Sequence, residues 1–151
     1  MPHLLIVDDE PSICWGLTRL AQGMGLSVAA SASAEQGLES SRRRKPDVLF
    51  LDIRLPGIDG LTAMNRFREQ WAAAGLPPAP IIVMTAYGEL DTAVEAVRNG
   101  AFDYLTKPFD IKVAQRVLER SLHQPEAVPP SSLPAALDDP AAIVGKSAPM
   151  Q

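Results

Sequence analysis

Acidic and basic residues follow three of the apolar runs in this chain, and together they could carry out phosphoryl chemistry. Asp8 and Asp9 close the first run, Asp52 closes a later one and Lys107 closes the last. Clustered carboxylates repel one another, and a hard divalent cation such as Mg2+ relieves that repulsion while leaving positions open for phosphate oxygens. Asp52 would then be a carboxylate nucleophile toward a phosphoryl donor, with Lys107 neutralising charge on the transferred group.

Five strand-helix units are predicted to bring these residues together. Each unit begins with a short apolar run, at residues 4–7, 26–30, 48–51, 81–84 and 102–105. Runs that are apolar at every position are typical of parallel strands covered on both faces. Right-handed crossovers then place helices on both sides of the sheet, and ligands bind beyond the carboxyl ends of its strands. Thr85, directly after the fourth run, joins the acids and the lysine at that edge.

Local signals mark where three of the helices begin. Pro11 suits a first helical turn, Ser33 with Gln36 forms a capping box, and Asp110 can cap the last helix. Apolar stripes at helical spacing support the first and last helices: Ile13, Leu17, Leu20 and Met24, then Val113, Val117, Leu118 and Leu122. Asp8 and Asp9 have a purely structural alternative as caps of the first helix, which would leave Asp52 and Lys107 unexplained.

The composition limits the classes of partner. A chain of 151 residues, 46% of them hydrophobic, can bury one core with length left for a tail. A net charge of -4 disfavours direct nucleic-acid binding, and the basic run at residues 42–45 is interpreted as a solvated helix end, with partner docking as the alternative. No stretch suits a signal peptide or membrane span, and the single cysteine, Cys14, is expected to be a packing residue in a cytoplasmic protein.

The composition changes after His123, so we predict one domain at residues 1–123 and a Pro/Ala-rich linker at residues 124–141. Residues 142–151 regain apolar character and are interpreted as the truncated start of a following domain. Gly145-Lys146-Ser147 suggests a phosphate loop, but such a loop needs a glycine where the chain has Pro140. We therefore do not predict a nucleotide site there.

Four motifs resemble those of the receiver domain of two-component response regulators: residues 7–10, 51–60, 84–86 and 100–109. They occur in the family's order, and the resemblance covers about residues 3 to 123. It implies an α/β, flavodoxin-like, doubly wound sheet of five parallel strands in the order 2-1-3-4-5, with helices on both faces. It also implies a phosphoryl group received from a sensor histidine kinase, with Mg2+ as cofactor and no turnover enzyme activity.

The resemblance also implies roles at the site. Asp52 would be the phosphoacceptor, and the magnesium ligands would be Asp9, Asp52 and the backbone carbonyl of Arg54, with Asp8 acting through metal-bound water. Lys107 would contact the phosphate, after a cis peptide bond to Pro108.

The resemblance further implies a switch. Thr85 would move toward the phosphate and Tyr104 would fill the vacated space, although a tyrosine on a strand is otherwise a core residue. The fourth helix, about residues 90–99, would then shift. Val94 and Val97 on this helix, with Lys112, Arg116 and Arg120 on the fifth, suggest partner docking or a homodimer through helix 4, strand 5 and helix 5. Ordinary solvated helix faces are the alternative.

A narrower resemblance links residues 52–57, 87–101 and 143–151 to the nitrogen-regulator (NtrC) class of sigma-54-dependent transcriptional activators. In that class a receiver precedes an ATPase domain and a DNA-binding domain, so we expect a receiver-plus-linker fragment or a chain that ends early, with its output absent. The main alternative is a phosphorylation-independent interaction module of the same fold. A haloacid-type phosphohydrolase would need an acid where Arg54 stands, and a flavodoxin would need a Ser/Thr-rich loop in place of residues 8–10.

Overall fold

Five strands and five helices alternate along the part of the chain that the computed structural model describes, which is residues 2–55, 57–86 and 89–123. The strands are β1 (His3–Val7), β2 (Ser27–Ser31), β3 (Val48–Asp52), β4 (Ile81–Ala86) and β5 (Asp103–Lys107). The helices are α1 (Pro11–Gly23), α2 (Ala34–Arg43), α3 (Gly60–Ala73), α4 (Leu90–Arg98) and α5 (Ile111–Leu122). The predicted linker and the predicted start of a second domain lie outside the described residues.

The strands form one parallel sheet in the order β2-β1-β3-β4-β5, which confirms the predicted flavodoxin-like topology. The three central strands are buried along nearly their whole length, as continuous apolar runs indicate. The two edge strands, β2 and β5, are only partly buried. An edge strand has a neighbouring strand on one side only, so fewer of its residues are buried and its apolar run is less continuous.

Alternate strand residues contribute to two core layers, one on each face of the sheet. The first layer includes Leu5, Leu49 and Val83, and it is covered by α2, α3 and α4. The second includes Ile6 and Phe50, and it is covered by α1 and α5. Within the described residues, no helix is long and apolar enough to cross a membrane.

The predicted helix starts are confirmed, with one change of detail. Pro11 begins α1, and the Asp110 carboxylate caps α5 by accepting from the Lys112 N–H. Ser33 caps α2 by accepting from the Gln36 N–H, but the Gln36 side chain accepts from the Ala32 N–H instead of completing the reciprocal box with Ser33.

One residue of the predicted α5 stripe is not in the core. Val113 is 41% exposed, whereas Ala114, Val117 and Leu118 are buried. The buried face of α5 therefore keeps the predicted Val117 and Leu118, with Ala114 in place of Val113 and with Ser121 added. The basic run does fall at a helix end, since α2 ends at Arg43, where Arg42 and Arg43 both pair with Glu39.

Candidate functional site

The predicted edge of the sheet does bring the three aspartates together. Asp8 and Asp9 directly follow β1, and Asp52 is the last residue of β3, the strand paired with β1. One carboxylate oxygen from each lies within 4.8 Å of the other two. We call Asp8, Asp9, Asp52 and Lys107 the acidic edge.

Lys107, the last residue of β5, reaches across to this cluster. Its Nζ lies 2.7 Å from Asp8 Oδ2, 3.0 Å from Glu10 Oε1 and 3.4 Å from Asp52 Oδ2. The peptide bond between Lys107 and Pro108 is cis, as the family resemblance implies. One ammonium group therefore contacts three carboxylates at the end of the sheet.

Glu10 is a contact that the sequence analysis did not assign. It belongs to the predicted motif at residues 7–10, but only Asp8 and Asp9 received a role there. Its position after the Asp pair was the available signal, because a third acid at the same strand end also falls within reach of Lys107. Glu10 is exposed, so water screens its interaction with the ammonium.

The Asp52 carboxylate is buried and its orientation is fixed. Oδ1 accepts a 3.0 Å hydrogen bond from the Arg54 N–H, while Oδ2 is the atom nearer to Lys107. The same bond places the Arg54 peptide beside the carboxylate cluster. The carbonyl of Arg54 as a metal ligand stays a prediction.

Asp8 is the most buried of the acids, and its Oδ1 accepts from the Glu10 N–H at 2.9 Å. The N-cap of α1 is Glu10, so neither aspartate holds the cap position, and Asp8 bonds to the N–H of the cap residue itself. Burial raises the pKa of Asp8, and repulsion from Asp52 adds to this, while the contacts with Lys107 and the Glu10 N–H oppose it.

The Lys107 pKa responds to two opposing effects. Burial lowers it, but hydrogen bonds to Asp8 and Glu10, with attraction from Asp52, outweigh burial and raise it above its ordinary value. The ammonium is therefore charged at neutral pH. This positive charge lies 3.4 Å from Oδ2 of Asp52, the predicted phosphoacceptor.

The residues of the acidic edge fit a magnesium ion. Their donor atoms are carboxylate oxygens, the ligands this ion prefers, and they converge from two adjacent strands. Asp8 and Asp52 are both buried, and burial together with repulsion from Asp52 raises the pKa of Asp8. A divalent cation relieves that repulsion, and Asp8, Asp9 and Asp52 are the residues that would hold it.

The two predicted switch residues share one face of the sheet. Tyr104 pairs with Val83 in the ladder between β4 and β5, and it packs against the same core layer. Thr85 lies two residues after Val83 and so points to that face as well. Its buried hydroxyl donates to the Glu89 carbonyl at 3.1 Å. The switch role of both residues stays a prediction.

The predicted docking face is only partly as expected. Leu90 and Val94 are exposed on α4, whereas Val97 is partly buried and packs against the core. Docking through this face stays a prediction. The face also presents charged side chains of α5: Lys112, Arg116 and Arg120. Arg120 pairs with Asp103 of β5 at 2.5 Å.

Comparisons with known proteins agree with this architecture. The model of the response regulator receiver domain family matches residues 4–119. The DNA-binding transcriptional regulator NtrC of Klebsiella pneumoniae is 41% identical over 148 residues, which are 97% of this chain and 30% of that protein. The transcriptional regulatory protein ZraR of Escherichia coli O157:H7 is 37% identical over 98% of this chain and 32% of its own length.

A solved structure gives the same result at the level of the fold. The receiver domain of NtrX from Brucella abortus superimposes with a TM-score of 0.71 and 31% identity, over 79% of this chain and 97% of that one. The chain thus spans under a third of the two curated relatives but nearly all of an isolated receiver domain.

Proposed function

Since the chain belongs to the response regulator receiver domain family, we propose that Asp52 accepts a phosphoryl group from a sensor histidine kinase. The single observation that carries this proposal is the position of its carboxylate. Asp52 lies at the end of a central strand, buried, with one oxygen held by the Arg54 N–H and the other 3.4 Å from Lys107 Nζ. A buried carboxylate beside a fixed cation is suited to nucleophilic attack on an anionic phosphoryl group.

In the proposed transfer, an Asp52 oxygen forms a new bond to phosphorus. The bond between phosphorus and the donor's imidazole nitrogen breaks, and its electron pair returns to that nitrogen. Lys107 is close enough to neutralise charge on the transferred group, because its Nζ already lies near Asp52 Oδ2.

We further propose that Asp8, Asp9, Asp52 and the Arg54 carbonyl hold Mg2+. When bound, the ion supplies Lewis-acid stabilisation of charge on the phosphoryl oxygens. The charge of the chain's own residues supports this assignment. Three carboxylates converge at the acidic edge, and Lys107 alone leaves them with excess negative charge.

The switch is proposed to run through Thr85 and Tyr104. Phosphorylation adds negative charge and acceptor oxygens, so the Thr85 hydroxyl gains a stronger acceptor than the Glu89 carbonyl. Release of that carbonyl frees the start of α4, and Tyr104 lies on the same sheet face to follow. Docking or a homodimer through α4, β5 and α5 would report the change.

The output is proposed by analogy with the relatives named above. A receiver at residues 1–123 would control sigma-54-dependent transcription activation through the linker at 124–141. Residues 142–151 would begin the ATPase domain, which a DNA-binding domain would follow. We propose a cytoplasmic location, because a histidine kinase phosphorylates its receiver there.

Intact-mass measurement after incubation with acetyl phosphate tests the proposal. We expect a single phosphoryl adduct to form in the presence of Mg2+. It should not form when Mg2+ is chelated before the donor is added, nor in Asp52→Asn. Asp59→Asn is the matched control, because Asp59 is an exposed carboxylate whose capping of α3 an asparagine can reproduce.

This control should keep the adduct. An adduct that persists in Asp52→Asn would place the phosphoacceptor elsewhere. A wild-type chain that binds Mg2+ and gives no adduct would favour the phosphorylation-independent module instead.

A further inference from the structure

Helix α4 covers the core but buries no large apolar side chain completely. Its buried residues are Ala93 and Ala96, while Leu90 and Val94 are exposed. Its N-cap, Glu89, makes no side-chain capping bond. Small buried side chains contribute little hydrophobic stabilisation, so polar contacts at the two ends carry more of the positioning of α4 than in its neighbours.

The contact at the N-terminal end depends on the functional site. The Glu89 carbonyl accepts from Thr85 Oγ1 at 3.1 Å, and the Glu89 carboxylate pairs with Arg54 Nη1 at 3.3 Å. Arg54 is largely exposed, so this ion pair is screened by water. Both partners of Glu89 belong to segments that the proposed phosphorylation would rearrange.

The contact at the C-terminal end is independent of the site. Arg68 of α3 donates from Nη1 to the Asn99 carbonyl at 2.5 Å. The carbonyls of a last helical turn lack partners within the helix, and a cation there complements the helix dipole. Arg68 is partly buried, and this burial lowers the pKa of its guanidinium. This is a charge-assisted hydrogen bond in a partly desolvated setting.

Gly100 makes room for that guanidinium. Its φ of +109° is a conformation that glycine adopts without strain. A Cβ at this position would lie 2.9 Å from Arg68 Cζ and closer still to one of its nitrogens. Any larger residue would therefore displace the Arg68 side chain, and the backbone after α4 is shaped to receive it.

We propose that Arg68 is a positioning residue that fixes the C-terminal end of α4 to α3, so that motion of α4 is confined to its N-terminal half. Release of Glu89 by Thr85 then swings the helix about a fixed end. The fixed end follows from the geometry alone, whereas the swing on phosphorylation rests on the proposed function.

Hydrogen exchange on the whole chain, without any phosphoryl donor, tests the fixed end. The probes are the Asn99 and Gly100 amides, which bond to the Glu95 and Val97 carbonyls. In Arg68→Met we expect both to exchange about tenfold faster, the size of effect that loss of a hydrogen bond to a charged group produces. Amides of β3 and β4 should not change.

Two further variants make the result specific. Arg66→Met removes an exposed arginine from the same helix and should leave the probes unchanged. Arg68→Lys keeps the charge but not the planar fork, so its rates should lie between wild type and Arg68→Met. Unchanged probe amides in Arg68→Met, or acceleration that extends equally to β3 and β4, would overturn the proposal. Neither result would affect phosphorylation of Asp52, which the mass measurement judges separately.

Discussion

The acidic edge and helix α4 are neighbours that are held in place by different forces. At the acidic edge, Asp8 and Asp52 are buried at the ends of central strands, and Lys107 joins them at 2.7 and 3.4 Å. Helix α4 buries only two alanines fully and relies on polar contacts at its ends. The first region has charges that cannot leave without large cost, whereas the second can change position by exchanging a few hydrogen bonds.

This difference suits a switch in which chemistry and response are separate. A phosphoacceptor needs a fixed nucleophile and a fixed cation, because misplacement by about 1 Å costs rate. A responding helix needs two positions of similar free energy, so that a small change at the site selects between them. Variants that remove the contacts of one region and measure the lost stability are therefore the strongest tests of the comparison.

The largest effect is expected from Lys107→Met at the acidic edge. The substitution leaves Asp8 and Asp52 without their cation, and breaking a buried ion pair costs about 3–5 kcal/mol. Urea unfolding at neutral pH without Mg2+ measures the loss. Lys112→Met, on the exposed side of α5, is the control and should change the free energy of unfolding by less than about 0.5 kcal/mol.

A second substitution shows whether the cost comes from Asp8. Adding Asp8→Asn to Lys107→Met removes the unpaired buried charge, so the double variant should recover part of the lost stability. Equal stability of Lys107→Met and wild type would mean that water already screens the acidic edge, and the contrast with α4 would no longer hold.

The next largest loss of stability is expected in a central strand, and it is compared with the loss on the outer face of α4. Ile82 of β4 is completely buried, and Ile82→Ala should lower the free energy of unfolding by about 2–5 kcal/mol. Val94→Ala on α4 should cost no more than about 0.5 kcal/mol, since Val94 is exposed. A cost above about 1 kcal/mol for Val94→Ala would show that α4 is packed more firmly than its contacts indicate.

The fold could be predicted from the sequence because its signals are local and repeated. Continuous apolar runs identified the central strands, and Pro11, Ser33 and Asp110 marked helix starts that the structure confirms. The inner face of α5 was predicted less accurately, because Val113 is exposed and its neighbour Ala114 is buried instead. Periodicity gives the stripe of a helix, but which residue faces inward depends on the packing partner.

The candidate site was predictable in its members but not in its contacts. Strand ends placed the three aspartates and Lys107 at one edge, and the structure brings them within reach of one another. The contact between Glu10 and Lys107 required the side-chain geometry. The contact between Arg68 and Asn99 was beyond sequence reasoning, because it joins α3 to the end of α4 across 31 positions with no motif to mark it.

A smaller loss of stability is expected at the start of α3, the helix that comes after Asp52 in the chain. Asp59 caps this helix, and a Cβ on Gly60 would lie 2.5 Å from the Ile53 Cα, so Gly60→Ala forces backbone to move. We expect a loss of about 1–3 kcal/mol in urea unfolding, the usual cost of overpacking. Gly16→Ala is the matched control within α1.

That control should have the opposite sign. Nothing lies within 4 Å of a Cβ built on Gly16, so alanine should stabilise the chain by about 0.5–1 kcal/mol through helix propensity. Equal effects of the two substitutions would mean that the close approach of α3 to the end of β3 can relax without cost, and that this border of the site is as adaptable as α4.

The smallest effect concerns pH and contrasts the two ends of β1. At its far end His3 is buried, and burial lowers its pKa, with Arg44 adding to this while Asp47 and the contact with Ser27 oppose it. The folded chain therefore binds this proton less strongly than the unfolded chain does. The contribution of neutral His3 to the free energy of unfolding is fully present above the ordinary histidine pKa near 6.5. It is lost as the pH falls from that value through the lower pKa that His3 has in the folded chain.

Urea unfolding of wild type and His3→Gln between pH 8 and 5 measures how protonation of His3 changes the free energy of unfolding. The wild type should lose stability relative to His3→Gln as the pH falls, because only the wild type must then bury a cation or release the ring. Asp8, at the other end of β1, has the opposite sign, because its raised pKa favours the folded state at low pH and that contribution is lost as pH rises. A constant difference between the two chains across this range would assign the pH dependence to the acidic edge alone, and His3 would then be a packing residue whose charge the surrounding solvent accommodates.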